Sequence, residues 1–309
     1  MPYVAVTTPT PKTRSDARRR RLQSLIPYAL ITPVQLLLIV VLVLPSLGAA
    51  YLAFFRSSFG LDTVWVGLEN FRYIFDDHRF IGALRNTVIF VNVVVYLEIA
   101  IGLGMAVVLA SQFRLQKLWI SIIISPYAVS AVIAVLMWKF ILEPDTGFIN
   151  YLLGLAGLDK ILWTVIPWHA FMTVALLEVW LNTPFTFLIL YAAVMGVSQE
   201  LYEAAKIDGA RPWQLFRFIT LPQIMPAILV ALMFRYIFAF RTFEVVWIMT
   251  QGGPLGSTEL LSVYLFRNGF RYYDFGVAAA TALVMVVVTG ILASFYLWSL
   301  YKRMIRDAA

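Results

Sequence analysis

The chain has 309 residues, of which 61% are hydrophobic and only 13% charged, with a mean hydropathy of +0.82 and a formal net charge of +7. So few polar groups cannot cover the surface of a soluble fold, so the composition excludes one and reads as a polytopic membrane protein. The absence of cysteine rules out disulfides and thiolate ligands and says little about compartment.

Residues 1–25 carry Lys12, Arg14 and the run Arg18, Arg19, Arg20 and Arg21, without the short apolar core and small-residue cleavage site of a signal peptide. The segment is expected to be cytoplasmic and to touch anionic lipid, and the span after it to stay attached as an uncleaved anchor. A bilayer core of roughly 30 Å needs about 20 apolar residues per helix. Such runs occur at 27–54, 84–110, 118–142, 168–196, 223–249 and 275–300. Six spans are predicted, each helical because lipid offers the backbone no hydrogen-bond partners, in one all-α domain over residues 26–301 with a tail over 302–309.

Orientation follows the cations. The short loop between the second and third spans holds Arg114 and Lys117 and no acid, whereas the loops on the other side hold Asp62, Glu69, Asp76, Asp77, Glu143, Asp145, Asp159, Glu259 and Asp274. The basic side should be cytoplasmic, and an even number of spans puts both termini there, in agreement with Lys302, Arg303 and Arg306 in the tail. The charge of +7 thus reflects membrane insertion and not a nucleic-acid patch.

What is missing excludes several chemistries. No Gly is followed by Lys, so the phosphate loop of an ATPase is absent. The only histidines, His78 and His169, have no carboxylates at ligand spacing, and no metal site is expected. Ser121, Ser125 and Ser130 lie on an apolar span without the turn that activates a serine nucleophile, and read as helix-packing residues.

The one long polar passage runs over 198–222. Ser198 can cap a helix whose first turn carries Gln199 and Glu200, and Leu201, Ala204, Ala205 and Asp208 share one face. Gly209 suits a left-handed helix end, Pro212 the first turn of a second helix, and Leu221 and Pro222 are expected to close that helix at the membrane. The stretch Glu203-Ala204-Ala205, Asp208-Gly209-Ala210 and Leu221-Pro222 resembles the EAA loop of the transmembrane subunits of bacterial ATP-binding-cassette (ABC) importers. The resemblance implies a cytoplasmic hairpin between the fourth and fifth spans that docks into a separate ATPase, with Glu203 facing a basic residue there and Gly209 setting the angle. It also implies a second related permease, a pair of ATPase subunits that bind ATP and Mg, and an external solute-binding protein, with no catalytic residue or cofactor in this chain. The segments 56–83, 143–167 and 250–274 would face that binding protein, being too short to form a domain of their own.

After the fifth span comes Met249-Thr250-Gln251-Gly252-Gly253-Pro254, similar to the signature of permeases that import oligosaccharides, disaccharides and glycerol-phosphate compounds, and the chain from about residue 25 onward resembles the first permease of that group. As a local feature Gly252-Gly253-Pro254 is also a tight turn. A sugar site should combine amides or carboxylates with aromatic platforms. On the fourth span Glu178, Asn182 and Phe185 recur at helical steps, with Pro184 expected to kink the helix there. On the fifth, Phe238 and Thr242 share a face with Arg241 and Glu244 one turn apart, and Tyr127 beside Pro126 is a further candidate on the third. Each also has a plain reading as interhelical glue, ion pair or packing. Glu98, Lys139 and Arg235 are expected nearer span ends, where snorkelling or packing accounts for them.

Other classes fit less well. A different polar solute is compatible with the same loop. A gradient-driven transporter would show internal repeats, and none is evident between 27–142 and 168–300. An intramembrane enzyme would need a catalytic constellation that the acids and histidines do not form.

Overall fold

The computed structural model describes residues 27, 28, 30–111 and 114–308, without the side chains of Leu300 and of residues 303–308. The predicted basic segment 1–25 and the side chains of Arg303 and Arg306 lie outside it. The chain divides into two compact units, 1–51 and 52–309. The first holds most of an apolar helix, α1 (Leu30–Leu52), which widens into a π-turn at Ile39–Val43.

In the second unit a two-residue antiparallel hairpin, β1 (Phe55–Arg56) and β2 (Val64–Trp65), precedes the short helix α2 (Glu69–Asp76). Asp77 then caps α3 (His78–Ala110), its carboxylate accepting from the Arg79 amide at 2.8 Å. Helices α4 (Gln116–Ile124) and α5 (Ala131–Ile141) follow, then the short α6 (Phe148–Leu155) and the long α7 (Pro167–Met195). A polar hairpin leads from α8 (Gln199–Ile207) into α9 (Pro212–Ala239), and the chain ends with α10 (Glu244–Met249), α11 (Leu261–Phe266) and α12 (Phe275–Ala308).

Five described helices are long and apolar enough to cross a membrane, or six if the bent pair Gln116–Ala128 and Ala131–Ile141 counts as one. The third predicted span is therefore not a single helix: its halves meet at 100°. Pro126 has no N–H to give the preceding turn, the chain tightens into a 3-10 turn at Ser125–Ala128, and Val129 is extended before α5 restarts. The fifth span is also displaced. It begins at the hairpin and ends at Ala239, because Phe240–Phe243 form a turn in which the Arg241 amide bonds the Phe238 carbonyl at 3.0 Å. Arg241 and Glu244 are thus not one helical turn apart on one helix, since Glu244 opens α10.

The main core lies among α3, α5, α7, α9 and α10. Helices α3 and α7 run side by side in one direction, Phe90 meeting Phe171, and at Gly102 a side chain would lie 3.1 Å from the Phe187 backbone nitrogen. Glycine there lets the two backbones approach. Pro184 sits inside α7 without breaking it, and Asn182 and Thr183 donate to the carbonyls of Glu178 and Val179 in the same turn. A smaller cluster beneath the β-hairpin joins Ala53, Ile74 and Phe80 to Leu261, Tyr264 and Ala280.

Candidate functional site

A buried ionic network ties three helices together. Arg235 of α9 is 2% exposed and grips Glu98 of α3, 0% exposed, through two hydrogen bonds, Nη2 to Oε1 at 2.8 Å and Nε to Oε2. Its Nη2 also donates to Oε1 of Glu178 of α7 at 3.3 Å. The two-pronged guanidinium–carboxylate geometry is what makes burial of such charges tolerable away from water. Glu98 and Arg235 were expected near span ends; the structure sets them in the bundle interior, because each has its counter-charge on a different helix, 137 residues away in sequence. Lys139, in contrast, does lie in the last turn of α5, where its ammonium donates to the Ile248 carbonyl at 3.3 Å.

Around Glu178 the network opens into a cavity of about 400 Å³. The Asn182 amide and the Thr242 hydroxyl also donate to Glu178 Oε1, at 3.0 and 3.1 Å. With Arg235 this saturates that oxygen, while among the described residues no hydrogen bond reaches Oε2. Arg241 and Glu244 complete the polar side. The opposite side is aromatic: Phe185 lies 6.3 Å from Tyr127 and 6.2 Å from Phe238 between ring centres. Phe234 stacks on Phe238 at 6.4 Å. All seven residues singled out from the sequence, Tyr127, Glu178, Asn182, Phe185, Phe238, Arg241 and Thr242, line this one cavity. Phe238 reaches it from the last turn of α9 and Thr242 from the non-helical turn that follows, not from one helical face. Arg235 lines it as well, bonded to Glu98, and Phe234 packs on Phe185 and Phe238; in the sequence each of the two charges looks isolated, because its counter-charge lies 137 residues away.

The polar hairpin hangs from the same two helices. Ser198 Oγ accepts from the Glu200 amide at 3.3 Å at the start of α8. Asp208 forms its C-terminal cap, and Gly209 takes a φ of +78°, a left-handed conformation that glycine adopts without strain. Pro212 occupies the first turn of α9, where the Gln214 side chain accepts from the Arg211 amide at 2.7 Å. Glu203, Ala204, Asp208 and Gly209 are exposed and Ala205 is half-buried, and the large apolar side chains of Ile207, Trp213 and Phe218 are exposed beside them. Leu221 and Pro222 do not close the second helix. It widens into a π-turn at Phe216–Thr220, with the Leu221 amide bonding Phe216 five residues back, and this turn accommodates Pro222, which has no N–H to give, so the helix runs on.

Further along, Gly252 has φ +86° and a side chain there would meet Glu259 at 3.3 Å, so the turn after α10 requires glycine. Thr258 braces it, bonding the Gly253 carbonyl at 2.7 Å, and the Asn86 amide ties it to α3 through the Gly256 carbonyl at 2.8 Å.

The sequence profile of the family described as "Binding-protein-dependent transport system inner membrane component" matches residues 98–306. The trehalose/maltose transport system permease protein MalF of Thermococcus litoralis is 32% identical over 262 residues, 84% of this chain and 88% of that protein. The sulfoquinovosyl glycerol transport system permease protein SmoG of Agrobacterium fabrum is 33% identical over 276 residues, 88% of this chain and 89% of that one. In fold, the chain matches one from the crystal structure of a bacterial alginate ABC transporter in complex with an alginate pentasaccharide-bound periplasmic protein, with a TM-score of 0.80 over 90% of this chain and 94% of the other, at 24% identity. The chain belongs to the inner-membrane components of binding-protein-dependent transport systems, the multi-pass permeases of ABC importers.

Proposed function

We propose that this permease carries a carbohydrate across the inner membrane by alternating access, with its polar hairpin docked into a separate ATPase and its Glu178 cavity forming part of the sugar path. One observation carries the reading: the helices that wall the cavity, α7 and α9, are the two that the hairpin joins. A pull on the hairpin therefore acts on both walls. The cavity pairs hydrogen-bonding groups with an aromatic wall, the combination that a ring of hydroxyls and small apolar faces requires. The named cargoes of the two relatives, trehalose or maltose and sulfoquinovosyl glycerol, support the carbohydrate class.

In this reading Glu203, Ala204, Ala205, Asp208 and Gly209 meet the ATPase, with Leu221 and Pro222 at the root of the hairpin, and both termini are cytoplasmic. ATP and Mg are bound by the ATPase pair and not by this chain. A second permease closes the exposed side of the cavity, where Tyr127 and Phe238 are about half exposed, and a solute-binding protein delivers cargo at the far end.

Growth of a strain lacking this chain on a panel of single carbon sources tests the cargo. The expected result is loss of growth on one carbohydrate class, restored by the native chain. Unchanged growth on every sugar, together with loss of uptake of a non-carbohydrate solute, would overturn the carbohydrate assignment.

A further inference from the structure

Helix α8 is thinly attached. None of its residues is buried, and among the described residues its side chains make a single hydrogen bond, from Tyr202 to Thr220 at 2.9 Å. Thr220 is 4% exposed and lies in the π-turn of α9, where its hydroxyl also reaches the Leu215 carbonyl at 3.4 Å. Tyr202 O–H donating to Thr220 Oγ, and Thr220 O–H donating to Leu215, gives one directed chain from α8 into the widened turn. The Tyr202 ring packs against the main core. A cavity of about 310 Å³ borders the contact, between Val107 and Ala110 of α3, Val194 and Met195 of α7, Tyr202 and Phe216. Around it the helices are not close-packed, which leaves α8 room to shift.

Resting on the docking reading of the hairpin, we infer that the Tyr202–Thr220 hydrogen bond is the link through which displacement of α8 reaches α9, and that both hydroxyls are positioning residues of the transport cycle. A force on α8 has two routes into α9. The covalent route passes the left-handed turn at Gly209, which sets the angle between α8 and α9 but has no side chain and nothing within 4 Å to transmit a push. The other is the hydroxyl pair, which enters α9 at the π-turn, a place where one residue's worth of helical register can be taken up or released. Motion that enters there rotates the segment carrying Arg235 and Phe238 toward or away from the cavity.

The chain contains no cysteine, so a single reporter can be introduced. Ala131 lines the Glu178 cavity and is small, and Ala131→Cys in the complex with its ATPase and mate permease is labelled with N-ethylmaleimide, with and without ATP plus vanadate. With the native hydroxyls, trapped nucleotide should change the labelling rate. Tyr202→Phe and Thr220→Val should each shrink that change by roughly two- to tenfold, the population shift that one neutral hydrogen bond can hold, while ATP hydrolysis and co-purification of the ATPase persist. Thr220→Ser should keep it, and the double variant should be no worse than either single one. A full nucleotide response in Tyr202→Phe overturns the inference. So does loss of ATPase co-purification in Tyr202→Phe, which would make the residue a docking contact. If nucleotide leaves the native reporter unchanged, the docking reading itself falls and this inference with it.

Discussion

A carboxylate with one oxygen saturated by three donors presents the other to whatever enters the cavity, and Glu178 is in that state. Glu178→Gln keeps the shape but replaces an accepting oxygen by a donating amide. A hydrogen bond to a charged group contributes about 1.5–3 kcal/mol, and each 1.4 kcal/mol is about tenfold in affinity. The half-saturating sugar concentration for uptake should therefore rise about tenfold or more, with membrane level and ATP hydrolysis kept; native half-saturation would remove Glu178 from the cargo path. Arg235→Ala acts on stability instead, because it strands Glu98 and Glu178 in the bundle interior with no counter-charge, at a cost of about 3–5 kcal/mol. The melting temperature in detergent should fall by several degrees, and an unchanged one would show that the network does not hold the helices together. At this scale Glu178 and Asn182 were legible because an acid or amide inside a span is costly enough to need a reason. Glu98 and Arg235 were not, because each looks like an isolated charge until the fold brings α3 and α9 together.

Among the elements, the hairpin shows how much local chemistry can settle. The Ser198 cap, the left-handed Gly209 and Pro212 in the first turn of α9 were all readable from residue type and spacing, since each answers a backbone requirement within a few residues. The breaks in the third and fifth spans were not. A run of about 20 apolar residues looks the same whether the helix is straight, bent by 100° at Val129–Ser130 or ended by the turn after Ala239, and Pro126, with no N–H to give, is the local marker of the first break. Those breaks matter, since they place Tyr127 and Thr242 against α7. At Gly209 nothing lies within 4 Å of a would-be side chain, so the cost of replacement is conformational alone. Gly209→Ala should cost about 1 kcal/mol, with uptake largely retained. Gly209→Pro demands a φ near −65° where the chain has +78°, so the angle between α8 and α9 is lost. Uptake should then vanish while the protein remains in the membrane. Normal uptake by Gly209→Pro would mean that the hairpin angle does not matter.

For the whole molecule, the membrane class followed from composition, because 61% hydrophobic residues cannot surface a soluble fold, and the helical fold from apolar runs long enough to span a bilayer as helices. The cavity is walled by α7 and α9 and leaves Tyr127, Phe238, Arg241 and Glu244 exposed at its edge, and the hairpin carries exposed Ile207, Trp213 and Phe218. Both are surfaces that water disfavours in isolation and that protein partners would cover. Glu203 stands among the hairpin's exposed residues with no ion pair among the described residues, so its charge is available to a cation on the ATPase. On the proposed docking, reversing that charge in Glu203→Lys replaces attraction by repulsion at one contact, and like-charge juxtaposition at an interface costs several kcal/mol. The variant should reach the membrane at native level, lose the ATPase during purification and give no ATP-driven uptake in vesicles. A compensating acid at the facing cation of the ATPase should restore both. Retention of the ATPase and full uptake by Glu203→Lys would separate the hairpin from energy coupling, as would uptake by vesicles that contain this chain and no nucleotide-hydrolysing subunit.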